Sequence, residues 1–435
     1  MPISRSTRRG RSSRRARRWR PSIGACARRR RRPHEAEVRP MRPRGRMRIG
    51  IDAHAIGSQT AGNETYIKNL IEALAAIDEE NEYVLFFTRP EIAEQWRDRF
   101  RNFRVWVVRP HTRYLRIPLS LPWAVWRAQV DLLHVQYAAP PVCPRPIVTT
   151  IHDLSFEHLP QFYTPRERWL LKLAVGYTAR RAARILTVSE YSARDIRATY
   201  RVPPERVVVT PEGVSALFVP VRDRERIHAV RRRYGIARAY ILSVGSLQPR
   251  KNLVRLIRAY VNLRRRDDEL DHQLVIVGKK GWLYQDIFRA AQHAPFAEDI
   301  IFTGYVPEED LPALYSGATV FVYPSIFEGF GLPVLEAMAC GVPVITSHSS
   351  SLPEVVGEAA LLVNPYDERA IEEALQQVIW NDAMRRELSE RGLRRAQQFS
   401  WRRTAELTLR AYEDVVRHVT GSERAASAQA AGASR

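Results

Sequence analysis

Short apolar segments alternate with helical patterns along the chain from Met47 onward. Seven segments of the first half are rich in β-branched and aromatic residues: RIGIDA, YVLFF, RVWVV, LLHVQY, PIVTTIHD, RILTVS and RVVVTPEG. Residues 64–76 and 166–184 carry helical patterns between some of these segments. Strands that alternate with helices form a parallel sheet with helices on both faces. The pattern therefore predicts a Rossmann-like, doubly wound α/β domain over residues 47–215.

A second series of the same kind follows a charged stretch that begins after Gly213. Its apolar segments are YILSVGS, QLVIVGKK, IIFTGYV, TVFVYPS, VPVITS and ALLVNP. Helical patterns separate them at residues 252–264, 310–317, 332–339 and 367–380. We predict a second Rossmann-like domain over residues 216–400, facing the first across a cleft. Ligands of such sheets bind beyond the carboxyl ends of the strands, so the loops there are candidate sites.

The two ends of the chain differ from this pattern. A helical pattern over residues 401–419 predicts a helix that packs back on the first domain, and residues 420–435 are predicted to be a disordered tail. Residues 1–46 hold 18 Arg, no Lys and two Glu, a net charge of +16 out of +22, which leaves +6 for the remainder. A net charge of +6 on the residues after position 46 gives no reason to expect nucleic acid as a partner of the folded domains.

The basic leader, residues 1–46, has three interpretations: a nucleic-acid arm, an Arg-rich and Ser-rich transit peptide, or an extension that is not normally translated. The chain has 64 Arg and 5 Lys, a bias typical of a GC-rich genome, in which translated non-coding sequence is also Arg-rich. Met47 precedes a good first strand. We therefore expect the functional chain to begin at Met47, after a disordered leader.

The cysteine content and the hydropathy of the chain indicate the cellular compartment in which the protein works. Cys26, Cys143 and Cys340 form no CxxC spacing, which favours a reducing compartment without disulfides. No apolar run approaches the roughly 18 residues of a membrane-spanning helix. The prediction is a cytoplasmic protein that is at most peripheral, at the inner face of the membrane.

Two loops in the second half carry candidate chemistry. GSLQPRKN, from Gly245, follows a strand and places Arg250 and Lys251 at the start of a helix, where cations are unfavourable unless an anion binds there. We therefore favour a diphosphate site over two solvated surface charges. SIFEGFGLPVLEAMACGVPVI places Glu328 in a loop before a helix and Glu336 on the first turns of that helix.

The spacing of these carboxylates suits an elongated ligand. Eight helical residues span about 12 Å, which is too far for an acid/base pair. Carboxylates accept hydrogen bonds from sugar hydroxyls, and backbone N–H groups around Gly329, Phe330 and Gly331 leave room for a polar ligand. A plain surface glutamate is the alternative interpretation of Glu336.

The motif with Glu328, seven intervening residues and Glu336 resembles the signature of the retaining glycosyltransferases of family four. Further motifs occur in the expected order: GNETYIKNL, HDLSF, VSEYSARDI, TPEGV, VGSLQPRKN, FTGYVPEEDL and SSSLPEVVGEAALLVNP. The resemblance runs from about Met47 to Val419 and implies the GT-B fold of two Rossmann-like domains. HDLSFEHLPQFY and TPEGV are most similar to members that transfer mannose or related sugars in bacterial polysaccharide assembly.

The resemblance also implies a role for each matching residue. Catalytic roles fall to His152, Glu328, Lys251 and Arg250: Glu328 contacts donor-sugar hydroxyls, His152 faces the donor sugar, and the two cations neutralise the diphosphate. Donor binding is implied for a longer set, with Glu336 on the ribose: Gly62, Gly245, Arg250, Lys251, Glu328, Gly329, Phe330, Gly331, Leu332 and Glu336. Gly62, expected in the loop after the first strand, would let the backbone of the first domain approach the phosphates and the acceptor. A histidine satisfied by backbone is the alternative for His152.

Two positions depart from the family pattern. Ser246 stands where many members have Arg, which leaves more of the charge stabilisation to Lys251 and Arg250, and Glu64 stands where many have a second Gly. These departures concern the details of donor contact.

Reaction and partners follow from the resemblance as expectations. We expect a hexose, mannose from GDP-mannose, to pass from a nucleotide sugar to a hydroxyl of a saccharide or lipid-linked saccharide, by front-side displacement. No Asp-x-Asp pair, HExxH motif or Cys/His cluster is present, so no metal and no cofactor beyond the donor substrate is expected. Residues 114–128 and 166–184 place Trp and Leu beside Arg, as in helices that lie on an anionic membrane or in ordinary core-facing helices.

Other functional classes fit less well. An oxidoreductase requires GxGxxG after the first strand, which GIDAHAIGSQTAGNE lacks. A donor of the UDP-glucose or ADP-glucose type, a sugar-nucleotide epimerase and a phosphorylase remain alternatives on the same fold.

Overall fold

A computed structural model describes residues 45–58, 61–110 and 112–433. The predicted leader lies outside these residues apart from its last two. Within the described part of the chain, no helix is both long and apolar enough to cross a bilayer.

The first half forms a seven-stranded parallel sheet in the order β3-β2-β1-β4-β5-β6-β7. Its strands are β1 (Arg48–Asp52), β2 (Glu82–Phe87), β3 (Phe103–Val107), β4 (Leu132–Gln136), β5 (Ile147–Thr150), β6 (Arg184–Thr187) and β7 (Val207–Val209). Helices on both faces bury most of these side chains, which is why the strands read as nearly continuous apolar runs.

The helices of this half are α1 (Ala61–Ile77), α2 (Pro90–Trp96), α3 (Arg113–Leu115), α4 (Leu121–Ala128), α5 (Ser155–His158), α6 (Pro165–Arg181) and α7 (Glu190–Tyr200). A π-helical turn, Arg116–Ser120, joins α3 to α4. Short 3₁₀ turns lie at Pro160–Phe162 and Pro204–Arg206. Helices α4, α6 and α7 share one apolar core against the sheet, so they cover the same face of it.

The second half forms a six-stranded parallel sheet in the order β10-β9-β8-β11-β12-β13. Its strands are β8 (Tyr240–Val244), β9 (Gln273–Val277), β10 (Ile300–Gly304), β11 (Val320–Tyr323), β12 (Val344–Ser347) and β13 (Leu361–Val363). The helices are α8 (Arg224–Arg233), α9 (Leu253–Arg266), α10 (Gln285–Gln292), α11 (Leu311–Ser316), α12 (Leu332–Ala339), α13 (Leu352–Val356), α14 (Glu368–Trp380), α15 (Asp382–Ala396) and α16 (Trp401–Ala433). Further 3₁₀ turns lie at Pro249–Lys251 and Ala297–Asp299. The predicted fold class, two doubly wound parallel-sheet domains, is confirmed.

Helix α16 returns to the first half and packs against α1. The Tyr412 hydroxyl lies 2.6 Å from Nδ1 of buried His134, and the Thr404 hydroxyl donates to the Pro211 carbonyl at 2.6 Å. Helix α16 extends through residues 420–433, where the sequence predicts a disordered tail. The tail is rich in alanine, which has the highest intrinsic helix propensity.

Candidate active site

The candidate site lies at the carboxyl edge of the second sheet, where the strand order reverses between β8 and β11. The loop after β8, residues 245–252, is called the phosphate loop after its predicted role, and the loop after β11, residues 324–331, is called the acidic loop. Loops at such a reversal form the ligand crevice of open α/β sheets. The two loops that the sequence singled out therefore lie side by side.

The phosphate loop is shaped by two left-handed backbone positions. Gly245 has φ +156°, and Asn252 has φ +60° between the 3₁₀ turn and α9. The Asn252 amide donates to the carbonyls of Pro324 (3.0 Å) and Pro365 (2.6 Å), which ties this loop to the acidic loop. Arg250 and Lys251 are thereby directed at Glu328.

Glu328 is the centre of a buried polar cluster. Its Oε1 accepts from Lys251 Nζ at 2.6 Å, from the Ser325 hydroxyl at 2.5 Å and from the Tyr323 hydroxyl at 3.1 Å. Its Oε2 accepts from Arg250 Nη1 at 2.9 Å. Lys251 Nζ also contacts the Tyr323 hydroxyl. Both carboxylate oxygens are therefore occupied by cations from the phosphate loop.

The charges in this cluster shift one another's ionisation. Burial opposes ionisation of Glu328, but Arg250 and Lys251 outweigh it and lower the pKa of its carboxyl to about 2. Burial lowers the pKa of Lys251 to about 8, although Glu328 acts in the opposite direction. Glu328 is therefore an anion at every working pH, whereas Lys251 gives up its proton just above neutral pH.

Backbone geometry holds the acidic loop at the start of α12. Gly331 has φ +108° and precedes Leu332, the first residue of that helix. The Ser351 hydroxyl donates to the carbonyls of Glu328 (2.9 Å) and Phe330 (3.1 Å). The predicted helix over residues 332–339 agrees with α12.

Glu336 is the fifth residue of α12 and is half-buried. It accepts a hydrogen bond from the Tyr315 hydroxyl at 2.9 Å. Burial raises the pKa of Glu336 to about 7. The negative charges of Glu308 and Glu212 raise this pKa further, whereas the hydrogen bond from Tyr315 lowers it. This carboxyl therefore changes charge near neutral pH.

His152 follows β5 and lies at the facing edge of the first domain, with only 8% of its surface exposed. Its Nε2 is 2.9 Å from the Gln136 amide oxygen, and its Nδ1 is 3.4 Å from the Glu212 carboxylate. The ring of Tyr66 packs edge-on against the imidazole at 4.6 Å. The side chains of Gln136, Glu212 and Tyr66 therefore hold this imidazole.

The two domains meet where Gly329 approaches the carbonyl oxygen of His152. A β-carbon on Gly329 would lie 2.2 Å from that oxygen, closer than any real contact. We expect Gly329→Ala to hold the domains apart and to lower kcat/KM at least tenfold, since about one ångström of misplacement can cost 10²-fold.

Small-angle X-ray scattering with and without GDP would measure this opening. Gly235→Ala is a matched control, because nothing lies within 4 Å of a β-carbon there, although its positive φ of +70° disfavours alanine slightly. A Gly329→Ala enzyme with wild-type kcat/KM would contradict the expectation.

The expectation that Gly62 lies in the loop after the first strand is wrong. It is the second residue of α1 and does not lie in a loop, because the helix begins at Ala61, three residues before the predicted start. Nothing lies within 4 Å of a β-carbon built on Gly62, so the space beside its backbone is open.

Several residues of the site were not identified from the sequence. Tyr323 and Ser325 contact Glu328, while Gln136 and Glu212 contact His152. Glu212 belongs to TPEGV, a motif that the sequence marked without assigning it a role. Among the described residues, no group of three His, Cys, Asp or Glu could hold a metal ion.

Two sequence families match consecutive parts of the chain. Residues 60–216 match Glycosyltransferase Family 4, and residues 227–395 match Glycosyl transferases group 1. The first match covers the domain with His152, and the second covers both loops around Glu328.

Named relatives support these matches. The O-antigen chain mannosyltransferase B of Escherichia coli is 38% identical over 61% of this chain and 70% of its own length. The serotype-specific mannosyltransferase WbdA of Escherichia coli is 33% identical over 57% of this chain but only 30% of its own length. The MMP alpha-(1->4)-mannosyltransferase of Mycolicibacterium hassiacum is 35% identical over 55% of this chain and 56% of its own length.

Solved structures share the fold. Sucrose-phosphate synthase from Thermosynechococcus elongatus superposes with a TM-score of 0.70 at 24% identity, covering 85% of this chain and 99% of that one. WaaG, a glycosyltransferase involved in lipopolysaccharide biosynthesis, gives 0.64 at 16% identity, with 85% and 99% covered. With its two domain matches, its relatives and its cation-bound Glu328, the chain belongs to the glycosyltransferases of family four.

Proposed function

We propose that this glycosyltransferase moves mannose from GDP-mannose, with retention of configuration, to a hydroxyl of a saccharide or lipid-linked saccharide in glycan synthesis. The O-antigen chain mannosyltransferase B and WbdA, both named as mannosyltransferases, support the choice of sugar. The observation that carries the proposal is the convergence of Lys251 and Arg250 on Glu328, because the same cations suit a diphosphate leaving group.

The cluster suggests how the bond to the diphosphate is broken. A departing nucleoside diphosphate gains negative charge, and prepositioned cations stabilise that charge best in a site that excludes water. Lys251 and Arg250 turn from Glu328 toward the phosphates when the donor binds. Glu328 then has oxygen lone pairs available for hydroxyls of the donor sugar.

Retention is assigned to front-side displacement. In that mechanism the leaving phosphate takes the proton of the acceptor hydroxyl as the new bond forms on the same face. Front-side displacement needs no covalent nucleophile, so the Glu328 carboxylate serves as a hydrogen-bond acceptor for the donor-sugar hydroxyls. A glycosylated side chain trapped and found by mass spectrometry would contradict this assignment.

A donor panel tests the function. Thermal shift of the full chain against GDP, UDP, ADP and dTDP, and their common sugars, should single out GDP-mannose, since a ligand that binds only the folded state raises the apparent Tm. Product analysis separates transfer from epimerisation and phosphorolysis. Turnover should survive EDTA, because Lys251 and Arg250 supply the positive charge. Stabilisation by UDP-glucose or ADP-glucose alone would overturn the choice of donor.

The pH dependence of donor binding is a second consequence. Glu336, with its pKa raised to about 7, is neutral below that pH and then accepts hydrogen bonds from ribose hydroxyls more weakly. Lys251, with its pKa lowered to about 8, loses its charge above that pH. GDP affinity should therefore peak between these values and fall up to about tenfold per pH unit on either side.

Calorimetric titration of GDP with wild type and with Glu336→Gln would separate this effect from the ionisation of GDP itself. The variant should bind GDP more weakly and lose the acidic limb, while it keeps the alkaline one. An acidic limb that persists in Glu336→Gln would rule out Glu336 as its source.

Peripheral membrane contact forms part of the proposal. The π-turn and α4 expose Leu119, Trp123 (56%) and Trp126 (59%), and α6 exposes Trp169 (61%) and Leu173 on the same face of the domain. The Arg127 guanidinium lies 5.9 Å from the Trp123 ring. Aromatic side chains beside arginine suit the headgroup level of an anionic bilayer, where a lipid-linked acceptor would be presented.

We expect the double variant Trp123→Ser, Trp126→Ser to lower binding to phosphatidylglycerol vesicles about tenfold, because each indole contributes apolar area to the interface. GDP affinity should not change. Trp380→Ser is the matched control, because Trp380 is 51% exposed on the second domain. Flotation of the double variant at the wild-type level would contradict membrane contact through this surface.

A further inference from the structure

Tyr137, directly after β4, adopts an unusual backbone conformation. Its φ is +59°, and the N–H of Ala138 donates to the carbonyl of Gln136 at 2.8 Å, which closes a three-residue turn around it. The N–H of Tyr137 itself donates to the Thr150 carbonyl at 2.9 Å. A γ-turn whose central residue has a positive φ is rare and strained when that residue has a bulky side chain, whereas glycine adopts a positive φ freely.

The turn directs the phenol into the cleft. The ring lies 5.6 Å from that of His152, centroid to centroid, and is half-buried. Burial, followed by the charge of Asp153, raises the pKa of Tyr137 well above its usual value, while Arg250 of the second domain acts in the opposite direction. The hydroxyl therefore keeps its proton and can donate a hydrogen bond on the side of the cleft opposite the phosphate loop.

The neighbours of Tyr137 have the chemistry of a sugar site. Asp153 Oδ1 accepts from the N–H (2.9 Å) and hydroxyl (2.6 Å) of Ser155, whose oxygen lies 2.7 Å from the Tyr163 hydroxyl. Asp153 Oδ2 is 4.0 Å from Arg250 Nη1. A carboxylate, hydroxyls and aromatic rings together provide the donors, acceptors and apolar faces that a sugar ring requires.

We propose that Tyr137 contacts the acceptor sugar and positions its hydroxyl beside the donor. Strained residues cluster at ligand-contacting positions, where the side chain is needed in a direction that relaxed backbone does not give. This inference rests on the proposed glycosyl transfer, and it adds a residue on the acceptor side that no motif identified.

Three variants separate the contribution of the side chain from that of the backbone strain. Tyr137→Gly removes both the side chain and the strain. Tyr137→Ala keeps the β-carbon and most of the strain, and Tyr137→Phe removes only the hydroxyl. Transfer from GDP-mannose to p-nitrophenyl α-mannoside would be followed. We expect all three to raise the KM for the mannoside, by about tenfold for Phe, the equivalent of one hydrogen bond, and by more for Gly and Ala. The KM for GDP-mannose and its slow hydrolysis without acceptor should not change.

Stability should show a different order from activity. Tyr137→Gly should have a higher Tm than Tyr137→Ala, because only glycine relieves the strain. A Gly variant with a wild-type KM for the mannoside would overturn the inference, and so would equal losses in acceptor transfer and donor hydrolysis.

The test also distinguishes failure of the proposed function. If wild type transfers nothing to the mannoside, that function fails for this acceptor. Saturation-transfer NMR of p-nitrophenyl α-mannoside with the GDP-bound protein then decides the role of Tyr137. Contact in wild type that is lost in Tyr137→Gly supports the inference, and equal or absent contact in both proteins overturns it.

Discussion

Glu328→Ala should be the most damaging single substitution, with kcat/KM reduced about 10³-fold and the free energy of unfolding lowered by about 3–5 kcal/mol. The loss of stability has a direct cause. Removal of the carboxylate leaves Lys251 and Arg250 buried without the anion that both contact. The loss of activity follows because the donor sugar loses a hydrogen-bond acceptor and the two cations lose their alignment.

Urea denaturation and steady-state kinetics would measure both effects. Glu358→Ala is the matched control, because Glu358 is exposed on the same domain. The sign of the pH dependence is fixed: the carboxyl has its pKa lowered from 4.5 to about 2, so its stabilisation is present above pH 4.5 and is lost as pH falls through about 2. A variant as stable as wild type at pH 7 would contradict the pairing.

Lys251→Met should have the second largest effect and slow turnover by about two to three orders of magnitude, because the departing diphosphate loses a prepositioned cation. Stability should change little, since the substitution also removes the cost of burying the ammonium group, and Arg250 remains on Glu328. Lys251→Arg should recover only part of the turnover rate, because a planar guanidinium does not fit the place of a compact ammonium.

Single-turnover kinetics with GDP-mannose would isolate the chemical step from binding. Lys280→Met is the control, because Lys280 is exposed in the loop after β9. If Lys251→Met keeps the wild-type single-turnover rate while Arg250→Met loses it, the charge stabilisation belongs to Arg250 alone.

The strands were predictable because their signal is local. Each of the thirteen segments proposed from the sequence overlaps one strand of the two sheets, and eleven of them contain the whole strand. A strand buried on both faces of a parallel sheet must be apolar almost throughout, and that pattern is visible in one short window. Helix ends were less predictable, because the helical and non-helical conformations of the last residues are close in free energy. Helix α1 begins at Ala61 and α16 continues to Ala433.

The motifs likewise identified which loops carry the chemistry, but they did not reveal the partners. The pairing of Glu328 with both Lys251 and Arg250 joins residues 77 or 78 positions apart, and Gly329 meets the carbonyl of His152 across the domain boundary. The contacts of Glu212 and Gln136 with the His152 ring are further examples of contacts between residues distant in the sequence. Such contacts depend on how the two domains close.

The sequence by itself therefore determined the fold, the family and the loops that carry charge, because hydrophobic periodicity and short motifs are properties of neighbouring residues. Tertiary structure alone decided the ionisation of Glu336 and Lys251 and the strained direction of Tyr137. The physical reason is that desolvation, charge pairing and backbone strain arise only when distant segments of the chain are packed together.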